Sequence, residues 1–447
     1  MDKEYTLERL AAIVGPEYVT NEPFILMAYT QDFGTQPPRW PAFVVKPGTV
    51  DEVAAVLRLA NELKIPISPR GGGSAQEGGC QSDDGIILET LRLDKILEID
   101  EDAGTVTAEA GLTFVKLMAV LEEQGWKIGI APSGAMAGTI GAHVSRPGVG
   151  WGNIKYMTQG QQVIGLKVVL PTGDIVQTGS AANPDASSFI RYALGPDMTG
   201  LFIGAEGAFG IVVEATLHIY PWPEKIYLER YVGTNLGDGI DIFRELAHHR
   251  LVCYVSVPVI KPDGFMFDVN VEGDKVEVEH RVARIRSIVS RYPSVRLEGS
   301  EAPQRFWDYR WFNTGEEFKD GIAGAVTFFL PFAKLEEATY AMREIMEQHG
   351  IRKYSQQLFP QPTGSEHVSL LFHHPSDKEE YAKIQAALPE IMDKALSMGG
   401  VPYTKGRQWV PHLKAHLGDT QYWRTLEALK QLLDPNHIMN PAVLGLK

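Results

Sequence analysis

The feature that most constrains this chain is a set of three small-residue loops, each set between strand-like segments. The first is residues 69–79, PRGGGSAQEGG, between the apolar runs KIPIS and GIILET. The second is residues 132–141, PSGAMAGTIG, followed closely by a glycine-rich stretch at 147–152. The third is residues 199–210, TGLFIGAEGAFG, leading into IVVEATLHIYPWP. Glycine lacks a Cβ, so successive N–H groups can converge and a phosphate can come close. One such loop is equally compatible with an ordinary turn. Three beside strands in one half of a chain point to a long ligand threaded along backbone amides, the shape of a dinucleotide.

The usual dinucleotide site is not the one encoded. No G-x-G-x-x-G follows a first strand with an acidic residue about 20 positions on. No Walker A sequence ending in Gly-Lys-Ser/Thr occurs either.

At 447 residues the chain exceeds one compact core, so two domains are expected. The net charge of −14 disfavours nucleic acid, because no basic stripe offsets it, but leaves anionic small molecules open. Two cysteines, Cys80 and Cys253, cannot build a disulfide framework or a cysteine metal cluster, which suits a reducing cytosol. The charged start DKEYTLERL has no signal-peptide core, and no apolar run of about 18 residues predicts a spanning helix.

In chain order, Leu7, Leu10, Ala11 and Val14 fall at helical spacing. Phe43, Val44 and Val45 read as a buried strand. Thr49 with Glu52 reads as a capping box before a helix that turns Val53, Val56, Leu57 and Leu63 inward. A strand at 65–68 then delivers the first loop, which makes a strand–helix–strand unit. Beyond about residue 226 the glycine loops thin out. Helices are expected at 239–248, 276–292, 334–349 and 378–398. They alternate with strands at 251–257, 264–271, 323–329 and 368–372, which predicts an antiparallel sheet with helices on one face.

These segments resemble the FAD-linked oxidoreductases of the vanillyl-alcohol oxidase/para-cresol methylhydroxylase fold. The branch they look most like contains the D-type subunits of glycolate oxidases and the D-lactate dehydrogenases. The matching pieces are PRGGGSAQEGG, PSGAMAGTIGAHV, KYMT with VIGLKVVLPTGDIV, TGLFIGAEGAFGIVVEATL, FWDYR and LDPNHIMNP, in the family's order. The resemblance implies an α+β fold. An FAD-binding domain at 1–222, made of two subdomains, is completed by 405–447, and a cap domain at 223–404 carries substrate. It places Arg70, Gly71, Gly72, Gly73, Ser74 and Gly78 on the FAD pyrophosphate. Pro132, Ser133, Thr139, Ile140, Gly141 and Ala142 would line the flavin. Glu206, Gly210, Ile211 and Val212 match the adenine side, and Asn440 matches a residue near the flavin ring. Some relatives bind FAD covalently through a histidine in the first loop; Ser74 stands there, so noncovalent FAD is expected, with attachment at a cap-domain residue left open.

The catalytic segments depart from the branch. Its metal motifs, His-Ala-Gly-Asp-Gly-Asn-Leu-His and Gly-Glu-His-Gly, align here so that only His367 is kept. Pro360, Lys405 and Gly406 fill the other key positions. One histidine cannot hold an ion that needs three or four ligands, so no metal is expected. Lys405, or Arg407, would then supply positive charge, unless both are solvated loop charges. His367 is the leading base, with Tyr403 a further catalytic candidate and His373, His374, His412 and His416 as rivals. Arg310 matches a carboxylate-binding arginine, or else packs on Trp307 or Trp311.

The activity implied is FAD-dependent oxidation of a small, lactate- or glycolate-like 2-hydroxy acid. Electrons would pass to an iron–sulfur or electron-transfer flavoprotein subunit. The protein would be cytoplasmic or held at a membrane through that partner, and its oligomeric state stays open. The alternatives are oxidation of another alcohol, aromatic or sugar-like, and an electron-relaying subunit with no turnover of its own.

Overall fold

The computed structural model describes residues 2–192, 194–256, 264–308, 321–441 and 443–446. Arg310 lies outside the described residues.

The first sheet runs in the order Val19–Thr20, Phe43–Val45, Ile86–Glu89, Ile67–Arg70. Only its first pair is antiparallel. Phe43, Val44 and Val45 are fully buried, which is why this strand reads as an unbroken apolar run rather than an alternation. The crossover helix Val50–Leu63 is capped by Thr49, whose side chain accepts from the Glu52 N–H. The Glu52 carboxylate reaches back one residue further than a capping box requires and accepts from the Gly48 N–H at 2.7 Å. Val53, Val56 and Leu57 are buried beneath the helix as expected, together with Ala54, Leu59 and Ala60, while Leu63 is only partly buried.

The second sheet is antiparallel, in the order Ile96–Asp100, Thr105–Glu109, Ile211–Pro221, Val163–Val169, Ile175–Gln177. Trp126–Ile128 pairs with the far end of Ile211–Pro221. The C-terminal segment returns to the first sheet: the Ile67 N–H donates to the Ile438 carbonyl and the Asn440 N–H to the Ile67 carbonyl, both at 2.7 Å. Lys430 is almost fully buried there, donating to Asp434 and to the Ala208 and Met439 carbonyls.

The second half holds two four-stranded antiparallel sheets among the described residues, where one was expected. One runs Tyr254–Ser256, Phe265–Gly273, Lys225–Gly233, Val295–Gly299. The other runs Tyr354–Gln361, Gly364–His373, Ile322–Leu330, Val401–Pro402. The strands not anticipated carry polar residues on buried faces. Glu229 in KIYLERYVG and Gln356 in YSQQLFPQ are nearly inaccessible, so the apolar alternation that marks a strand is broken. Pro360 sits in Tyr354–Gln361, which is the edge strand, where a missing N–H can be tolerated. No helix among the described residues is long and apolar enough to cross a membrane.

Candidate active site

The first glycine loop leaves the end of strand Ile67–Arg70 and packs backbone against backbone on the second loop. A Cβ at Gly72 would lie 1.9 Å from the Ala137 carbonyl oxygen, so only glycine permits this approach. Gly73 has φ +69°, a left-handed conformation that turns the chain back. Among the described residues, the N–H groups of Gly72, Gly73 and Ser74 have no protein acceptor. Three adjacent unfilled donors on a glycine turn form an anion cradle, which fits a pyrophosphate.

Asn440 ties the loops together. Its amide donates to the Gly79 carbonyl at 2.9 Å and the Glu206 carbonyl at 2.6 Å, and its oxygen accepts from Ser68 at 3.1 Å. The sequence placed Asn440 near the flavin ring; it is buried behind the loops as a clamp and does not line the cavity.

A cavity of about 1070 Å³ runs between the loops and the two cap sheets. That is the upper end of the range for small-molecule sites, roughly 300–1,000 Å³, and gives room for a large cofactor with a substrate beside it. Arg70, Gly71, Gly72, Gly73, Ser74, Pro132, Ser133, Gly141, Ala142, Glu206, Gly210, Ile211, Val212 and Tyr403 all line it. Gly78, Thr139 and Ile140 do not. Gly78 is buried and gives its N–H to Asp32 at 2.7 Å, and Thr139 and Ile140 are inaccessible, packed beneath the second loop.

The cap wall follows the two-residue period of its strands. On Gly364–His373, Glu366, Val368, Leu370 and Phe372 face the cavity. Their neighbours Phe359, Gln357 and Ser355, on the edge strand, pair with Glu366, Val368 and Leu370 in turn. His367 therefore points the other way. It is wholly buried, stacked on Phe328 at 4.9 Å, with no hydrogen-bond partner on either ring nitrogen. Burial pushes its pKa down to about 3. The leading base of the sequence reading is thus separated from the cavity by the sheet itself, and the carboxyl of Glu366 stands where that imidazole was expected.

Glu366 is 4% exposed, and burial pushes it up to about 8, opposed by Arg146 and reinforced by Glu77. Arg146 lines the same region. Its Nη1 donates to Glu77 at 3.0 Å, and its guanidinium lies 5.3 Å from the centre of the Tyr403 ring. Burial pushes the Tyr403 phenol up to about 12, with Arg146 holding it back. Glu206 is raised by burial, and Asp32 is pushed up to about 6 for the same reason. Burial thus raises Asp32, Glu206 and Glu366, and Arg146, bound to Glu77, opposes the rise at all three.

Neither Lys405 nor Arg407 lines the cavity. The Lys405 N–H donates to Glu206 at 2.6 Å, and burial lowers the pKa of its ammonium. Arg407 binds Asp83 and the Gln81 carbonyl, both at 3.2 Å, so it braces the first loop from behind. The cavity's cation in this region is Arg146, which the sequence reading missed. It was legible only as a lone arginine after an apolar stretch, HVSRPG. His373, His374 and His412 bond to the His374 carbonyl, Ser376 and Asp393, and none of the three, nor His416, lines the cavity. Among the described residues, no three His, Cys, Asp or Glu side chains converge as a metal site. Farther along, Arg230 and Asp268 pair through two hydrogen bonds, 2.5 and 2.7 Å, beside Met266, Tyr254 and Trp151.

The family description "FAD binding domain" matches residues 41–179, and "FAD linked oxidases, C-terminal domain" matches residues 241–444. The chain is 25% identical to glycolate oxidase subunit GlcD of Bacillus subtilis, over 98% of this chain and 96% of the relative. It is 24% identical to a D-lactate dehydrogenase of Anaerostipes hadrus, over 91% and 90%. Its structure is similar to that of p-cresol methylhydroxylase with substrate bound, at a TM-score of 0.89 and 18% identity, covering 99% of this chain and 97% of the other. The unfilled donors of the first loop, the long cavity and these matches agree: the chain belongs to the FAD-linked oxidoreductases of the vanillyl-alcohol oxidase/para-cresol methylhydroxylase fold.

Proposed function

We propose that this protein oxidises the CH–OH carbon of a small 2-hydroxy acid and passes the electrons to a protein partner. The observation that carries the reading is Glu366, a buried carboxyl pushed up to about 8 on the wall that faces the glycine loops. Alcohol oxidation needs a proton acceptor whose pKa lies near the working pH, and Glu366 meets that need where His367 does not. The lactate and glycolate names of the full-length relatives support the substrate class.

Noncovalent FAD, held through the donors of Gly72, Gly73 and Ser74, supplies a two-electron acceptor for hydride. The residues of the chain do the rest. Glu366 takes the hydroxyl proton. Arg146 has spent Nη1 on Glu77 and presents the rest of its guanidinium to the substrate carboxylate. Tyr403, lying against Arg146, closes the same corner of the site. The apolar wall of Val368 and Leu370 keeps water away from the reacting carbon. The partner would be an iron–sulfur or electron-transfer flavoprotein subunit, a reading supported by the relative's name as a subunit.

A second reading is favoured by one observation. Trp151, Tyr254, Phe359 and Phe372 also face the cavity, a lining suited to an aromatic alcohol. Anaerobic addition of glycolate, D-lactate, D-mandelate and benzyl alcohol to the FAD-loaded protein separates the two. Bleaching of the flavin by the hydroxy acids alone supports the first reading. Bleaching by benzyl alcohol but not by D-lactate or glycolate sinks it in favour of the second, and no bleaching by any of them points to an electron-relaying subunit.

A further inference from the structure

We propose that the paired Arg230 and Asp268 form a second subsite of the cavity and bind a hydroxyl on the tail of the substrate. The substrate is then a 2-hydroxy acid whose carbon chain carries a second, neutral hydroxyl at its other end. This deepens the reading of the site as one for 2-hydroxy acids and rests on it. Its starting point is an ion pair set in an apolar wall. Arg230 and Asp268 face each other across the ladder of Lys225–Gly233 and Phe265–Gly273, and the guanidinium Nε and Nη2 donate to the two carboxylate oxygens at 2.5 and 2.7 Å. Asp268 is 6% exposed, and Met266, Tyr254 and Trp151 line the cavity with the pair. An ion pair removed from water gives little net stability over apolar residues of similar size, so folding alone does not call for one here.

The pair belongs to the same cavity as Glu366. Phe359 pairs with Glu366 in one cap sheet, and its ring lies 6.4 Å from that of Tyr254 in the other. Tyr254 in turn pairs with Asn270, which is two residues along the strand from Asp268 and so on the same face. Two ladder steps and one ring contact therefore connect the reacting end to the ion pair. Val368, Leu370 and Met266 give the cavity an apolar lining suited to the carbon chain of a substrate.

What the pair can bind follows from the hydrogen bonds it has left. Among the described residues Nη1 of Arg230 has no protein acceptor, so its N–H groups are open to a ligand. Each Asp268 oxygen accepts one hydrogen bond from Arg230 and can accept another. A donor beside an acceptor matches a hydroxyl, which gives one bond and takes one. A second carboxylate is a poorer fit. Asp268 already neutralises Arg230, and Glu298 lies 4.0 Å from its Nε, so one cation stands between two carboxylates. An ammonium has no lone pair for Nη1 and adds a like charge beside it.

The test uses the FAD-loaded enzyme and 2-hydroxy acids about five to nine carbons long, each ending in methyl, hydroxyl, carboxylate or ammonium. Affinity is read from the shift of the flavin spectrum and turnover from anaerobic bleaching. At the best chain length the hydroxyl-ended acid should bind about tenfold to a hundredfold more tightly than its methyl-ended counterpart, the range for a hydrogen bond to a charged group. Arg230→Met combined with Asp268→Leu, which leaves neither charge unpaired, should erase that preference. Asp268→Asn, which frees the Arg230 charge, should move the preference to the carboxylate-ended acid, a gain that misfolding does not mimic. Wild-type preference for any other ending, or for none, overturns the proposal, as does an unchanged hydroxyl preference in both variants. The two readings fail separately. Tighter binding of the hydroxyl-ended acid with no bleaching by any acid keeps the subsite and removes the oxidation. Bleaching with no preference among the endings removes the subsite and keeps the oxidation.

Discussion

Replacing Glu366 by Gln keeps the shape of the side chain and removes its ability to take a proton. If Glu366 is the base, the bleaching rate should fall by roughly 10²–10⁴-fold, the usual contribution of a positioned general base. The pH profile carries a second magnitude. The wild-type rate should rise with pH and level off above the Glu366 value of about 8. At pH 6, about one site in a hundred is then ionised, so the rate should be roughly 100-fold below its plateau. The variant should lose this ascending limb.

Stability should move in the opposite direction. The folded-state value of about 8 lies above the ordinary 4.5, so the folded protein binds this proton more tightly than the unfolded chain. Wild-type stability should therefore fall as pH rises from about 4.5 to about 8, whereas Glu366→Gln has no such charge to bury. The variant should gain on the wild type by a few kcal/mol, with a ceiling of roughly 5, between pH 4.5 and 9. Stopped-flow bleaching and thermal melts across that range read both quantities. A variant that bleaches at the wild-type rate with the wild-type pH profile refutes the assignment. A variant that gains no stability at alkaline pH refutes the burial argument behind it.

Three further outcomes are expected. Gly72→Ala forces a Cβ to within 1.9 Å of the Ala137 oxygen, so the two loops must part, and the purified protein should carry little flavin by its visible absorbance. A normal flavin content would show that the loops do not hold the cofactor. His367→Leu should bleach at close to the wild-type rate and melt no lower, because a buried imidazole with two unpartnered nitrogens costs desolvation without return. Loss of bleaching in that variant would restore His367 as the base. With Ser74 in the position where covalently flavinylated relatives carry histidine, acid precipitation should leave all the flavin in the supernatant, and flavin in the pellet would contradict noncovalent binding.

The loops were legible because their signal is local. Glycines at 71–73 and their order along the chain need no tertiary information, and 14 of the site residues read from sequence do line the cavity. The cap was harder because its signal is a parity. A strand at 368–372 was expected, but extending it back to Gly364 and asking which residues share a face would have grouped Glu366 with Val368 and Leu370. Alignment with the branch's metal motif, made without asking which residues share a face, selected His367, one position off and on the opposite side. Arg146 and Asp32 could not be found this way. They reach the cluster from the helix segment Ile140–Ser145 and from the turns before the first glycine loop, and only the packing of the loops brings them beside Glu77. Lys405 reaches the site only through Glu206, which accepts its backbone N–H at 2.6 Å and lies within reach of its charge; the residue itself does not line the cavity.

On the proposed function, hydride leaves the hydroxyl-bearing carbon of a 2-hydroxy acid inside this cavity. The most direct measurement is anaerobic single-turnover bleaching with the substrate carrying hydrogen or deuterium at that carbon. Bleaching should be slowed by a primary isotope effect. Bleaching at equal rates with both, or none with any 2-hydroxy acid, would contradict it.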